Sequence, residues 1–299
     1  MNKLLGKQAG LTNTFEAFRL IYIIGIEMKA IAKKILKNLG YEIKRAPKPS
    51  KHEVSNHDQH EIKFINDDKF EVEFTHLVLD GNQYYVPKYA SHRPAVKNLL
   101  NGTLYEPDTH DFVRDFCKSF EGSIVHAGTF FGDMIPNFSK YVTGTVYAFE
   151  PVFENYILAK LCVNNNNLSN VILMNSALSD RLDNLYINTS ESDGRHAGGA
   201  STISDEGTIC TAIKIDSLNV EDLVLIQLDV EGHELTALTG AQETIQKFRP
   251  VIAIEDNNDN CTDFLSNIKY ESVGHIPGLT IWSPNENTRY KEKIAALLS

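Results

Sequence analysis

From Ser123 onward, the apolar positions fall in short runs separated by longer stretches of helical spacing, the pattern of a parallel sheet with crossover helices. The strand-like runs are Ser123–Ala127, Thr145–Phe149, Val171–Asn175, Leu223–Asp229 and Val251–Glu255. Helices are predicted between them at Asp133–Tyr141, Phe153–Asn164 and Gly232–Phe248, the last stopped by Arg249-Pro250. Cys261–Ile268 reads as another helix, Tyr270–His275 and Leu279–Trp282 as a hairpin around Pro277-Gly278, and Thr288–Leu298 as a closing helix. Upstream, Asp108–Phe120 places Phe112, Phe116 and Phe120 at helical spacing, as core residues of a helix that delivers the chain into the first strand. Before it, Lys69–Phe74, Leu77–Leu79, the turn pair Asp80-Gly81 and Gln83–Val86 predict a hairpin within a small β-rich lead-in, Glu61–Tyr89. Residues 46–60 are polar and proline-bearing and read as a linker with solvated His52, His57 and His60. Phe15–Leu39 has helical periodicity with interspersed lysines, and Gly40 is its stop. The plan is thus a basic helical segment at 1–50, linker and lead-in at 51–107, and an α/β domain at 108–299 whose mostly parallel sheet ends in an antiparallel hairpin.

Composition narrows the class. A 299-residue chain of net charge −10 suits one large domain with an appendage. Cys117, Cys162, Cys210 and Cys261 have no C-x-x-C spacing, so neither zinc nor a disulfide framework is expected and a reducing cytoplasm fits best. Residues 1–50 carry ten Lys/Arg against three Asp/Glu, which leaves the body acidic and repellent to nucleic acid. The basic head has two readings: a helix on an anionic membrane surface, or one packed on its own domain or a second subunit. Leu20–Ile26, flanked by Arg19 and Glu27, is too short to span a bilayer and lacks a small-residue cleavage site.

The candidate chemistry begins at Gly122–Asp133 (GSIVHAGTFFGD), where a buried strand breaks into a turn bracketed by Gly128 and Gly132. Glycine there permits positive φ and close approach of a ligand. The second strand ends in Glu150-Pro151, and a carboxylate at that place can accept both ribose hydroxyls of an adenosine ligand. The segment Asp183–Thr211, with Asp193-Gly194-Arg195-His196 and Gly198-Gly199-Ala200-Ser201, is an insertion. It reads either as a substrate lip or lid, or as a surface excursion.

Six motifs, AGTFFGD at 127–133, AFEP at 148–151, NSALSD at 175–180, KIDSL at 214–218, LDVEGHE at 228–234 and RPVIAIE at 249–255, follow one another over about residues 84–256. Together they resemble the FkbM family of S-adenosylmethionine-dependent methyltransferases. The resemblance implies a class I methyltransferase (Rossmann-like) fold and methyl transfer to a hydroxyl of a sugar, glycan or small natural product. It also implies that Gly128 and Gly132 shape the loop under the methionine portion, with Thr129 and Asp133 in that loop, that Glu150 takes the ribose beside Pro151, that Ala177 flanks the adenine beside Ser176, and that Asp229 faces the reaction centre. His126 stands where the family commonly has an acidic residue and counts with these as cofactor-binding. Glu231, Gly232 and Glu234 open a helix, where carboxylates either cap free N–H groups or serve the reaction. Deprotonating an alcohol calls for a base or a metal: His233, one turn from Asp229, is the candidate base. Asp229, Glu255 and Asp256 are the candidate ligands of a Mg2+ ion, an arrangement similar to the metal site of macrolide-sugar O-methyltransferases. Two other classes stay open. A nicotinamide-dependent oxidoreductase also begins with a glycine turn and an acid, although Gly128–Gly132 lacks G-x-G-x-x-G spacing, and His126 leaves room for a non-catalytic cofactor-binding module. The acceptor expected is a small molecule or carbohydrate, with homo-oligomerisation open.

Overall fold

The computed structural model describes residues 41–45, 58–64, 71–255 and 260–299, which divide into two compact units. In the first, β1 (Tyr41–Arg45) and β2 (Asp58–Phe64) pair antiparallel, Tyr41 opposite Phe64 and Arg45 opposite His60. The end of the predicted linker is therefore strand. The predicted helix Phe15–Leu39, both readings of the basic head, most of the linker and Asp256 lie outside the described residues.

The second unit takes in β3 (Glu71–Leu79) from Phe74 onward, which forms the predicted hairpin with β4 (Asn82–Pro87), from Phe74 opposite Pro87 to Leu79 opposite Asn82. Asp80 and Gly81 both take positive φ at its turn. A short helix that the periodicity does not announce, α1 (Pro94–Leu100), follows, started by Pro94 and burying Ala95, Val96 and Leu99. Then α2 (Pro107–Cys117), β5 (Ser123–Ala127), α3 (Ile135–Tyr141), β6 (Val146–Phe149), α4 (Phe153–Asn165) and β7 (Val171–Met174) appear close to their predicted bounds. The insertion is folded: β9 (Asp183–Asn188), β10 (Thr202–Ser204) and β11 (Thr208–Ile213) join β8 (Ala177–Leu178), just upstream, in a small sheet in the order β10-β9-β11-β8. Its inward positions Ile187, Cys210 and Ala212 bury against Val152 and Ala177, so it has a core of its own.

β12 (Leu223–Leu228) leads into α5 (Glu234–Thr239) and α6 (Gln242–Phe248), where one helix is predicted. A β-carbon on Gly240 would stand 1.9 Å from the Ser179 carbonyl oxygen. The chain breaks there. Asp216, in the turn Ile215–Ser217, caps the restarted helix by accepting from the N–H groups of Glu243 (3.1 Å) and Thr244 (2.8 Å). β13 (Val251–Ile254), α7 (Asn260–Asn267), the hairpin β14 (Tyr270–Ile276) and β15 (Leu279–Pro284), and α8 (Thr288–Leu297) complete the unit.

The main sheet runs β14-β15-β13-β12-β5-β6-β7, parallel from β13 to β7 and antiparallel at its last hairpin. This is the class I methyltransferase architecture. β5, β6, β12 and β13 are buried at every position, as crossover helices on both faces require. Strand alternation sends Ile124, Ala148, Leu225 and Ala253 into one layer with Phe116, Phe138 and Ile294. Their neighbours Val125, Phe149, Ile226 and Ile254 go into the other, with Leu238, Ile245 and Leu265.

The same alternation turns His126 into the first layer, under α2 and α3. It faces Gln227 across β5–β12, and its Nδ1–H donates to Gln227 Oε1. Its ring meets Phe138 edge-on at 5.1 Å, and Phe138 also lies 5.8 Å from His110, whose Nδ1 accepts from Asn137 Nδ2 at 3.3 Å. Burial pulls the pKa of both imidazoles down to about 4. An unfolded chain takes up protons near pH 6.5 that these folded rings refuse, so their contribution to stability is lost as pH drops from 6.5 towards 4. In urea titrations, the gap in unfolding free energy between wild type and His126→Leu should move by about 2 kcal/mol in favour of the variant from pH 7 to pH 4.5. A gap independent of pH would show that His126 is not held neutral.

Candidate functional site

At the carboxyl ends of β5, β6 and β12 lies a narrow cleft with a cavity volume of about 40 Å³. Of the residues singled out by sequence, Gly128, Glu150, Pro151, Ala177, Asp229 and His233 line it. His126, Thr129, Gly132, Asp133, Ser176 and Glu255 stand off it. Gly198, Gly199 and Ser201, from the segment read as a substrate lip or lid, and Glu231, weighed for capping or reaction, also line it, and Ile187, Ile203 and Val230, which sequence reasoning did not single out, complete the wall.

Gly128 has φ +90°, and a β-carbon there would lie 1.9 Å from the carbonyl oxygen of Asp229. Its bare backbone lets the tips of β5 and β12 close on each other. Gly132 serves packing: at φ +86° its missing β-carbon leaves room for the Ala159 Cα of α4, which would be 3.1 Å away. Between them, Thr129 donates its N–H to Phe149 O (3.2 Å). The hydroxyls of Thr129 and Ser176 are both buried without a partner among the described residues. Asp133 is buried as well, which pushes its carboxyl up to about 7.

Glu150 is almost fully buried and already engaged. Oε1 accepts from Val152 N–H (2.8 Å) and Asn155 Nδ2 (3.2 Å), and Oε2 accepts from Phe130 N–H (2.7 Å). A carboxylate offers about four acceptor positions, so one remains, on Oε2. Burial raises the Glu150 pKa to about 8 against the pull of these three donors. Asn175 fixes the backbone around it, donating from Nδ2 to the carbonyls of Glu150 (2.8 Å) and Pro151 (3.1 Å).

Beyond β12 the walls are acidic. Carboxylate oxygens of Asp229, Glu231 and Glu255 lie within 4.8 Å of one another, which brings together two of the three candidate metal ligands and adds Glu231. Burial, together with Glu255 alongside, holds the Asp229 carboxyl well above the usual range. The capping role in the turn falls to Glu234, whose Oε1 accepts from the N–H groups of Val230 (2.9 Å) and Gly232 (3.3 Å). His233, at the helix boundary, keeps a buried Nε2 with no partner among the described residues. Burial lowers its pKa from the ordinary histidine value.

The segment between β4 and α1 holds the insertion in place. Tyr89 stacks at a tilt on His196 (4.5 Å), whose Nδ1 accepts from Gly198 N–H (2.9 Å). Glu191 receives His92 (3.0 Å), Arg93 (3.5 Å) and Arg195 (2.8 Å). Gly198 and Gly199 then rest on the ring of Phe130, where β-carbons would come within 3.0 and 3.2 Å.

Residues 126–276, just over half of the chain, match the Methyltransferase FkbM domain. The chain belongs to the FkbM methyltransferase family. Among solved structures it is similar to the methyltransferase FkbM from Methylobacillus flagellatus KT, at 18% identity and TM-score 0.41 over 55% of this chain and 43% of that one. It is also similar to M. jannaschii TYW2 in complex with AdoMet, at 11% identity and TM-score 0.35 over 74% and 87% of the two chains. A third is an rRNA methylase from Streptococcus thermophilus, at 13% identity and TM-score 0.34 over 59% and 93%. The chain thus spans less than half the length of the Methylobacillus protein. No curated protein matches it. Among the described residues of this FkbM chain, no helix is long and apolar enough to cross a membrane.

Because Gly128 holds two strand tips together, Gly128→Ala should cost about 4 kcal/mol or more, the range of severe core disruptions. Chemical denaturation checks this. A variant within 1 kcal/mol of wild type would mean that the β5–β12 closure can relax.

Proposed function

We propose that this FkbM domain is an S-adenosylmethionine-dependent O-methyltransferase that acts on a hydroxyl of a sugar, glycan or small natural product. The observation that carries the reading is His233 Nε2, unpartnered and neutral by burial, in the same cleft as Glu150 and Asp229. The cleft offers a cofactor two groups: Glu150 presents its remaining Oε2 position to a ribose hydroxyl, and Asp229 lines the same cleft at the end of β12. When bound, S-adenosylmethionine supplies an electrophilic methyl group. The chain's own work is to align the acceptor oxygen, to take its proton at His233 Nε2, and to exclude water with Ile187 and Ile203. Membership of a methyltransferase family leaves the nicotinamide reading without support. Formation of S-adenosylhomocysteine on an acceptor would set the enzyme apart from a binding module.

A second reading of proton removal rests on the convergence of Asp229, Glu231 and Glu255. Oxygen donors in that number suit Mg2+, which would lower the pKa of a coordinated hydroxyl. Two measurements separate the readings. If His233 is the base, His233→Gln should slow methyl transfer roughly 10²–10⁴-fold with cofactor affinity nearly unchanged, and a chelator should do little. If the acids hold a cation, chelation should abolish turnover and Mg2+ restore it.

The pH profile gives a further check. Since burial lowers the pKa of His233, the base stays neutral below the ordinary histidine range, and the acid limb of kcat should lie below pH 6.5. It should vanish in His233→Gln. A limb at the same pH in both proteins would assign the titration to another group.

A further inference from the structure

Asn155, the third residue of α4, is completely buried, and each of its polar groups is engaged. Its Oδ1 accepts from Tyr89 O–H at 2.7 Å. Its Nδ2 donates to Glu150 Oε1 and to the carbonyl of Gly198, both at 3.2 Å. The amide can be placed only one way, since a carboxylate and a carbonyl both need donors. Three segments far apart in sequence therefore meet on one side chain: the β4–α1 connection, the acid at the end of β6, and the glycine pair of the insertion. Nothing in the helical pattern of α4 needs an amide here, and a buried polar side chain without a ligand-facing duty is a poor core residue.

On the reading of the cleft as a cofactor site, we propose that Asn155 is a positioning residue, which holds Glu150 for the cofactor ribose and ties that carboxylate to the insertion that covers it. Together with Val152 N–H it occupies both acceptor positions of Oε1, which turns the remaining one on Oε2 towards the ligand. Because the same amide holds Gly198 O, the cover and the ribose acceptor are set by one group. Asn155 itself need not touch the cofactor.

The role has a signature in pH. Glu150 accepts from a hydroxyl as the carboxylate, so cofactor affinity is present above its pKa and lost as pH falls through it. Burial raises that pKa and the Asn155 donor lowers it. The titratable groups facing Glu150 are Glu154 on α4, Tyr89 before α1 and Cys210 on β11. Removing the donor should therefore move the acid limb of binding to higher pH, whereas a purely structural defect weakens binding equally at every pH.

The experiment is isothermal titration of the full chain with S-adenosylmethionine between pH 6 and 9.5, for wild type, Asn155→Ser and Tyr89→Phe. In Asn155→Ser the dissociation constant at pH 7.5 should rise about tenfold or more, as expected for a lost hydrogen bond to a charged group, and the limb should shift to higher pH. Tyr89→Phe, which frees Asn155 Oδ1 alone, should shift the limb the same way by less. An unmoved limb in a folded Asn155→Ser overturns the proposal, with or without weaker binding. Should circular dichroism show that variant unfolded, Tyr89→Phe decides, and an unmoved limb there overturns it equally. If wild type takes up no S-adenosylmethionine at any pH, the cofactor reading itself falls, and this role falls with it.

Discussion

The site depends on how closely two strands can approach. At Gly128 there is no room for a β-carbon, because the carbonyl of Asp229 occupies that space. From this contact the rest follows in order. The tips of β5 and β12 converge, which sets the glycine turn beside Asp229, and the turn directs Phe130 N–H at Glu150 across the end of β6. Phe130 in turn supports the two glycines of the insertion. A side chain at position 128 would disturb each of these at once, although it touches only one of them.

Much of this was legible in the chain. Fully buried parallel strands leave continuous apolar runs, so Ser123–Ala127 and its four partners stand out, and the acid after the second run marks the strand end. What escaped is what depends on contacts between distant residues. The break between α5 and α6 is set by Ser179, far upstream, pressing on a glycine that helical periodicity tolerates. The strands of the insertion are short and only half apolar, and they are fixed by pairing with one another and by Val152 beneath them. His126 lies in a strand whose ends were visible, but which layer it enters depends on register, and register puts it against Gln227 and away from the cleft. Asn155 carries no local signal, being one polar residue near the start of a helix.

Burial, more than pairing, sets the electrostatics. His110, His126 and His233 are all shifted towards the neutral form by loss of water, and Asp133, Glu150 and Asp229 are shifted the same way. The cleft and its floor therefore carry less charge than their residue types suggest. Such groups respond strongly to whatever charge or hydrogen bond a ligand adds, because little solvent is present to screen it.

The insertion is anchored by Tyr89, His92 and Arg93, which precede the stretch shared with the FkbM domain. The boundary drawn by sequence similarity is thus not the boundary of the working machine. A gene fragment cut to the similar region would keep the glycine turn, Glu150 and His233 yet lose the clasp on its own cover. In grafting or shuffling such domains, the segment worth carrying along is the one that alignment would discard.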